Sequence, residues 1–420
     1  MKRLLALLLC VATLLTFAAC GNTSSQPEET TEEPKPVDNF PYPTLNEKLT
    51  WDRINAQPVK SSDMTIQEMR EACVSFMRFS KTAMWIPNAE LTFVKNAQGD
   101  EDTMSKGMIY AGFPYMQFST GNVYRLMDYM NDENGVVDME AFITYPQALG
   151  NQCSSSTYWA WGRVINSCKG SYTVRLTHAN GCLRVGPYTY DDDQLTFDKN
   201  TTKMICQQNG EDVMYESYAQ LHLADGVVNY TTAGHVRMVS SEPHVVYYNG
   251  KIDPFNSYIT VLEQGQSWLE YTNESGDTAQ MKANVDKKET FFDLYQKSYI
   301  PFTYAEFLGT KGVDETQCSV NLSGDSVDAA SLFSAQVTSN FGISDVYVSL
   351  KNDSGKEVYR LVVRATEHNV QTVKITRNAT NIDTWGTYEK LNGEYTAEVS
   401  AQLSTGERPV IYTGKVTVSN

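Results

Sequence analysis

The stretch Gln147-Ala148-Leu149-Gly150-Asn151-Gln152-Cys153-Ser154-Ser155-Ser156-Thr157-Tyr158-Trp159-Ala160-Trp161 places a cysteine directly after a short polar turn. Three serines and a threonine follow, and the apolar residues Ala160, Trp161, Val164, Ile165 and Cys168 then recur at helical spacing. The pattern predicts a helix that opens at Cys153. Unpaired backbone N–H groups and the positive end of a helix dipole stabilise a thiolate in such a position. A cysteine is also a small side chain well suited to burial, so the reading of Cys153 turns on whether a base follows it.

A candidate base lies downstream. Leu223-Ala224-Asp225-Gly226-Val227-Val228 leads into Ala233-Gly234-His235-Val236-Arg237-Met238-Val239, and the alternation predicts a strand that starts at His235 and puts His235, Arg237 and Val239 on one face. Asn249-Gly250 is a two-residue hairpin signal, beyond which Tyr258-Ile259-Thr260-Val261-Leu262-Glu263 reads as a returning strand. Pairing of these strands brings His235 beside Glu263, the first choice for a group that orients the imidazole; Gln264 and then Asp253 are the alternatives. On its own, His235 is equally a satisfied core histidine. His178, His222, His244 and His368 occupy polar or mixed segments and are assigned no role.

The chain of 420 residues is long enough for two or three domains. Lys2 and Arg3 precede an apolar run from Leu4 to Phe17, too short for a comfortable membrane span and typical of an export signal. Phe17-Ala18-Ala19-Cys20 resembles a bacterial lipobox, which implies lipidation of Cys20 and an extracytoplasmic, membrane-anchored protein. Removal of residues 1–19 takes two of the 34 basic residues and none of the 50 acidic ones, leaving a net charge of −18. That balance argues against nucleic acid as a partner. Residues 21–45 alternate prolines with glutamates and contain few apolar side chains, the composition of an extended, self-repelling tether.

Eight cysteines in all, with one in the signal and one at the lipobox, fit no disulfide framework or zinc site; a Cys168–Cys182 pair is conceivable on spacing alone. Asp191-Asp192-Asp193 lacks the glycine and spacing of a calcium loop and reads as a solvated turn. No metal motif, nucleotide loop or haem signature is present, and no cofactor is expected.

Thr65-Ile66-Gln67-Glu68 fits a capping box and opens a helix over roughly 64–80, with Ile66, Met69, Cys73, Phe76 and Met77 on its apolar face. Gly107 to Tyr115 is an aromatic turn. Strands are expected at 172–176 and 182–185, a short helix at about Lys287–Gln296, an aromatic closing segment from Tyr299 to Phe307, and a linker from Gly309 to Gln317. From Cys318 onward short strands alternate with turns every eight to twelve residues, as in an immunoglobulin-like sandwich.

With Cys153, His235 and Glu263 in this order, residues 105–265 resemble the papain-like cysteine hydrolases of bacterial surfaces, the NlpC-type and CHAP amidase-peptidases. The likeness rests on Asn151-Gln152-Cys153-Ser154-Ser155, on Asp225-Gly226-Val227 before Gly234-His235-Val236, on Leu262-Glu263-Gln264, and on the aromatic turn before the cysteine. The family often has Asp-Cys-Ser-Gly at the nucleophile, and the hairpin from Glu242 to Asn256 lengthens the gap after the histidine.

The resemblance implies an α+β architecture, with a papain-like hydrolase domain over 46–312 and the all-β sandwich over 318–420. It implies Cys153 as nucleophile, His235 as base and Glu263 as orienter, with Gln147 or Gln152 as oxyanion donor. It points to peptide or amide bonds, foremost those of peptidoglycan stem peptides, with peptidase, amidase and acyltransferase chemistry all open. The alternative is a non-catalytic surface lipoprotein that uses both domains for binding or adhesion.

Overall fold

The computed structural model describes residues 40–419 apart from 118, 131–133, 141, 143–145, 167, 169–181, 192–199, 232–233 and 368. The export signal with Cys20, most of the expected tether, the strand expected at 172–176, His178, Asp192, Asp193 and His368 lie outside the described residues. The side chain of Gln147 lies outside them too.

The chain is α+β. Helix α1, Ile66–Thr82, starts where the capping box places it: the Thr65 side chain accepts from the Glu68 amide at 3.2 Å and Glu68 accepts from the Thr65 amide at 2.8 Å. Its buried face carries Met69, Cys73, Phe76 and Met77, whereas Ile66 in the first turn is exposed. Helix α2 spans Val123–Asp128, helix α3 Cys153–Trp161 and helix α4 Thr201–Tyr218. All nine residues of α3 are buried, including its serines and threonine. A helix wrapped by protein on every side needs no apolar stripe, and α3 ends at Trp161, short of the Val164, Ile165 and Cys168 that periodicity assigns to it. Those three are buried beyond the helix.

Nine strands form the main sheet: β1 (Met84–Pro87), β2 (Tyr110–Ala111), β3 (Val136–Val137), β4 (Cys182–Arg184), β5 (Gly226–Tyr230), β6 (Gly234–Val239), β7 (Tyr258–Thr272), β8 (Thr278–Thr290) and β9 (Ile300–Tyr304). Their spatial order is β3-β1-β2-β8-β7-β6-β5-β9-β4, antiparallel except for β3 on β1 and β2 on β8. Strand β7 runs on to Thr272, well past the expected end at Glu263, and β8 occupies the start of the helix expected at Lys287–Gln296, which begins only at Phe291. The segment around Lys287 alternates in burial, and its pairing with β7 overrides the helical reading. The Asn249-Gly250 turn closes a small hairpin between Tyr247–Tyr248 and Lys251–Ile252, with Asn249 and Gly250 at φ 50° and 77°.

The C-terminal part has its own apolar core. Strands β10 (Cys318–Val320), β12 (Gln336–Ser339) and β15 (Thr372–Lys374) form one sheet. Strands β11 (Ser326–Asp328), β18 (Val410–Val418), β17 (Gly393–Leu403), β13 (Ile343–Lys351), β14 (Glu357–Arg364) and β16 (Ile382–Trp385) form the other, in that spatial order.

The two cores are joined through buried charge. Asn122 caps α2 and donates to Ser344 at 2.7 Å. Arg125 on α2 binds Asp345 at 3.0 Å and the carbonyls of Ser344 and Ala365 at 3.1 and 2.8 Å. Arg364 returns the contact, reaching Asp128 at 2.7 Å, Asp345 at 3.3 Å and Asp383 at 2.8 Å. Asp345 is fully buried, and although burial opposes its charge, Arg125 and Arg364 hold its carboxyl below the ordinary value of 3.8. A depressed carboxyl contributes stability above its ordinary pKa and loses it as pH falls through the folded value. Asp345→Asn leaves Arg125 with no carboxylate. It is expected to destabilise the fold by about 3–5 kcal/mol at neutral pH, read from urea unfolding, and to lessen the loss of stability below pH 3.8.

Candidate active site

The Cys153 segment is built by two loops that lock together. Asn151 donates its amide to Pro114 O at 3.0 Å and accepts from Met116 N at 2.9 Å, while its side chain reaches Gly121 O at 2.6 Å. Gly121 N closes on Gly150 O at 2.7 Å, and a Cβ at Gly150 would sit 2.4 Å from Met116, so the approach requires glycine there. Ser155 donates to Ser119 O, and Trp159 Nε1 donates to Thr120 O at 3.1 Å. Pro114 of the aromatic turn thus braces the loop, and Ser119 and Thr120 beyond the turn brace the first turns of α3.

The far end of α3 is tied to the histidine strand. Trp161 Nε1 donates to Ala224 O at 2.7 Å, in the turn that enters β5. Asp225 is a scaffold residue in that turn, binding Arg70 of α1 at 2.7 Å, Thr303 of β9 at 2.5 Å and the His222 amide at 2.8 Å. Gly226 is required because a Cβ would lie 2.2 Å from the Phe302 ring.

Cys153 is the first residue of α3 and is buried, 6% exposed. Its sulfur is hydrogen-bonded to the His235 side chain and to the backbone N–H groups of Val236 and Ser154. Burial pushes the thiol up, but His235 and the two amides outweigh it and hold the thiol below its ordinary value of 9.0. His235 Nε2 lies 2.6 Å from Glu263 Oε2, which leaves Nδ1 for the sulfur. Burial by itself would lower the imidazolium; hydrogen bonds to and charges on Cys153 and Glu263 raise it to about 9.

Glu263 is held as an anion by donors on the two flanking strands. Its Oε2 also accepts from Arg237 Nε on β6 at 2.5 Å, and its Oε1 from Asn284 on β8 at 2.6 Å and Lys287 at 3.5 Å. Burial opposes its charge, yet His235, Arg237 and Lys287 keep its carboxyl far below the ordinary range. The β7–β8 register slips by one residue between Val261 and Glu263, an irregularity of the kind that re-aims a side chain. A second layer follows: Arg237 also reaches Glu289 at 3.1 Å, as do Lys287 and Lys297 at 2.9 and 2.8 Å.

The structure therefore brings Cys153, His235 and Glu263 together in series. The other candidates fall elsewhere. Gln264 faces Lys81 and donates to Phe113 O at 2.8 Å. Asp253 lies in an exposed turn and binds the Phe255 and Asn256 amides, not the histidine. Gln152 is the N-cap residue of α3 without a side-chain cap bond, and Gln147 lies in the 3-10 turn Pro146–Ala148. Cys168 and Cys182 are free thiols, and Cys168 rests 3.3 Å from the Tyr304 hydroxyl. His222 pairs with Glu242 in an exposed position, and His244 lies against the Tyr258 ring.

Asn284, Lys287 and Tyr115 belong to the site although sequence reasoning did not select them. Tyr115 hydrogen-bonds Gln266 and senses the charge of Cys153. Asn284 and Lys287 carry no motif, and only the register of β8 on β7 brings them to Glu263. Among the described residues no cluster of His, Cys, Asp and Glu suits a metal ion, and no helix is long and apolar enough to cross a membrane. Comparison of the chain with models of known protein families and with curated proteins finds no match.

Chemically, the arrangement pairs a thiol held below its ordinary value with an imidazolium held up to about pH 9. A reaction that needs the thiolate to attack and the imidazolium to donate is expected to lose rate above that pH. Cys153 and, after it, Glu263 hold His235 up; Glu263→Gln removes the second of these charges, so the alkaline limb of kcat/KM is expected to move down from about 9. A pH–rate profile of the two proteins checks this shift.

Proposed function

We propose that residues 46–312 form a papain-like thiol hydrolase of the NlpC and CHAP kind, with an immunoglobulin-like sandwich over 318–420, carried outside the membrane on a lipid attached to Cys20. Its substrates are amide bonds, foremost those of peptidoglycan stem peptides. The hydrogen-bonded series Cys153, His235, Glu263 carries this reading. Its members come in the chain order of that family, with the cysteine opening a helix and the other two on adjacent strands. The export signal and lipobox in the sequence support the address.

In the first half-reaction the Cys153 thiolate attacks the amide carbonyl carbon, and the carbonyl π electrons move to oxygen. The Cys153 N–H at the start of α3 is one donor for that oxyanion. As the tetrahedral intermediate collapses, the C–N bond breaks and the His235 imidazolium gives its proton to the departing amine. Water then loses a proton to His235 and attacks the thioester, and the C–S bond breaks to release the acid and restore the Cys153 thiolate beside the His235 imidazolium. Glu263 stays ionised throughout and fixes the imidazole with Nε2 bonded to the carboxylate.

Purified protein is expected to release amines from muropeptides, with Cys153→Ala lowering the rate by roughly 10^4-fold or more. His235→Asn is expected to do the same. Equal release by the alanine variant and the wild type removes Cys153 as nucleophile. No release from muropeptides by a protein whose Cys153 is rapidly alkylated at neutral pH rejects the substrate while keeping the thiol chemistry.

A further inference from the structure

Strand β7 leaves the interior just past Glu263 and there loses its pairing with β8. Gln264 is still matched with Ala283, but the next register point is Leu269 against Met281, so Gly265 to Trp268 loop out opposite the single residue Lys282. The strand is buried as far as Gln264, whereas Gln266 and Ser267 are exposed and Trp268 is half-buried. Bulges re-aim side chains and are over-represented beside active sites. This one follows directly on the carboxylate that binds His235 at 2.6 Å.

Contacts along the bulge fix where it stands. Before it, Gln264 donates to Phe113 O at 2.8 Å. At its crest Gln266 donates to the Tyr115 hydroxyl. Tyr115 is the backbone partner of Asn151, two residues before Cys153, through the Asn151 N–H on Pro114 O at 3.0 Å and the Met116 N–H on Asn151 O at 2.9 Å. At the far end the Trp268 ring centroid lies 5.3 Å from that of Tyr110 and 4.6 Å from the ammonium of Lys282, which is buried and bound to Asp102. The bulge is thus pinned at both ends, with its polar crest exposed against the loop that carries Cys153. Because Gln266 is the donor to Tyr115, the Tyr115 O–H and the Gln266 Oε1 are left side by side, one a donor and the other an acceptor. A backbone peptide group, with its C=O acceptor and N–H donor, is the complement of that pair.

We propose that the bulge Gly265–Trp268 is a substrate-binding rim, in which Gln266 and Tyr115 hold one backbone amide of a peptide beside Cys153 and Trp268 anchors the bulge. The amide held there is a neighbour of the one cleaved, so the site selects peptides over small isolated amides. Trp268 acts through Gln266 and is a positioning residue. The inference rests on the amide-hydrolase reading of the site, and its first test needs no turnover. Binding of muropeptides to Cys153→Ala protein is measured by titration calorimetry, alone and with Gln266→Ala or Trp268→Ala added. Each added change is expected to weaken binding about tenfold, the size of one lost hydrogen bond. The two together are expected to cost no more than either alone, because they disable the same contact.

A second measurement uses the protein with Cys153 in place. Gln266 is exposed, so Gln266→Ala tests the rim without burdening the core. It is expected to raise KM for muropeptides about tenfold with kcat within about twofold. Alkylation of Cys153 by iodoacetamide, a reagent too small to need the rim, is expected to keep its wild-type pH profile. Unchanged affinity in Gln266→Ala, additive losses in the doubly changed rim, or a fall in kcat at constant KM overturns the inference. So does a Cys153→Ala protein that binds no muropeptide; a lowered thiol pKa in alkylation of the wild type then rejects the rim and the substrate while keeping Cys153 and His235 as a reactive pair.

Discussion

A carboxylate that must stay ionised inside the protein organises the centre of this structure. Glu263 is 3% exposed and accepts from His235, Arg237, Asn284 and Lys287, so its desolvation is offset by four donors on the two strands that flank it. Removing one donor weakens the whole set, because Arg237 and Lys287 are themselves balanced by Glu289. The raised imidazolium of His235 and the lowered thiol of Cys153 both follow from that fixed negative charge and from each other. Placement of the two strands in register is therefore an electrostatic requirement as well as a packing one.

Cys153 depends on a different physical device. Its loop is held by backbone amides and carbonyls, with glycines at 121 and 150 where two chain segments pass within hydrogen-bond distance. The helix it opens is buried on every side, so the dipole and amides that favour a thiolate act in a poorly solvated setting. The same burial raises the cost of an unpaired thiolate, and the structure answers with hydrogen bonds from His235 and the Val236 and Ser154 amides.

Much of this was legible in the sequence where the signal was local. The capping box at Thr65 marked α1 to within two residues, and the alternation from His235 and the Asn249-Gly250 turn marked β6 and its hairpin. Cys153 at a helix start could be read because serines and threonines follow a polar turn. What could not be read depended on long-range pairing. Lys287 has helical neighbours in sequence but lies on β8. The apolar residues after Trp161 share the helical period without extending the helix, because period alone cannot separate a buried helix from buried turns.

The contact between the two cores has a consequence for how such a chain can change over evolutionary time. The segment from Ser119 to Asp128 faces both ways. Ser119 and Thr120 hold α3 through Ser155 and Trp159, and Asn122, Arg125 and Asp128 hold the C-terminal sheets through Ser344, Asp345 and Arg364. On the other side Ser404 of the C-terminal part donates to Gly162 O, just past the end of α3. A recombination event near residue 312 that exchanged the C-terminal sheets for an unrelated module would take Asp345 from Arg125 and Ser404 from the end of α3 while leaving the Ser119 and Thr120 contacts in place. Substitutions at the paired positions of this contact, Arg125 with Asp345 and Asp128 with Arg364, are therefore expected to accumulate together.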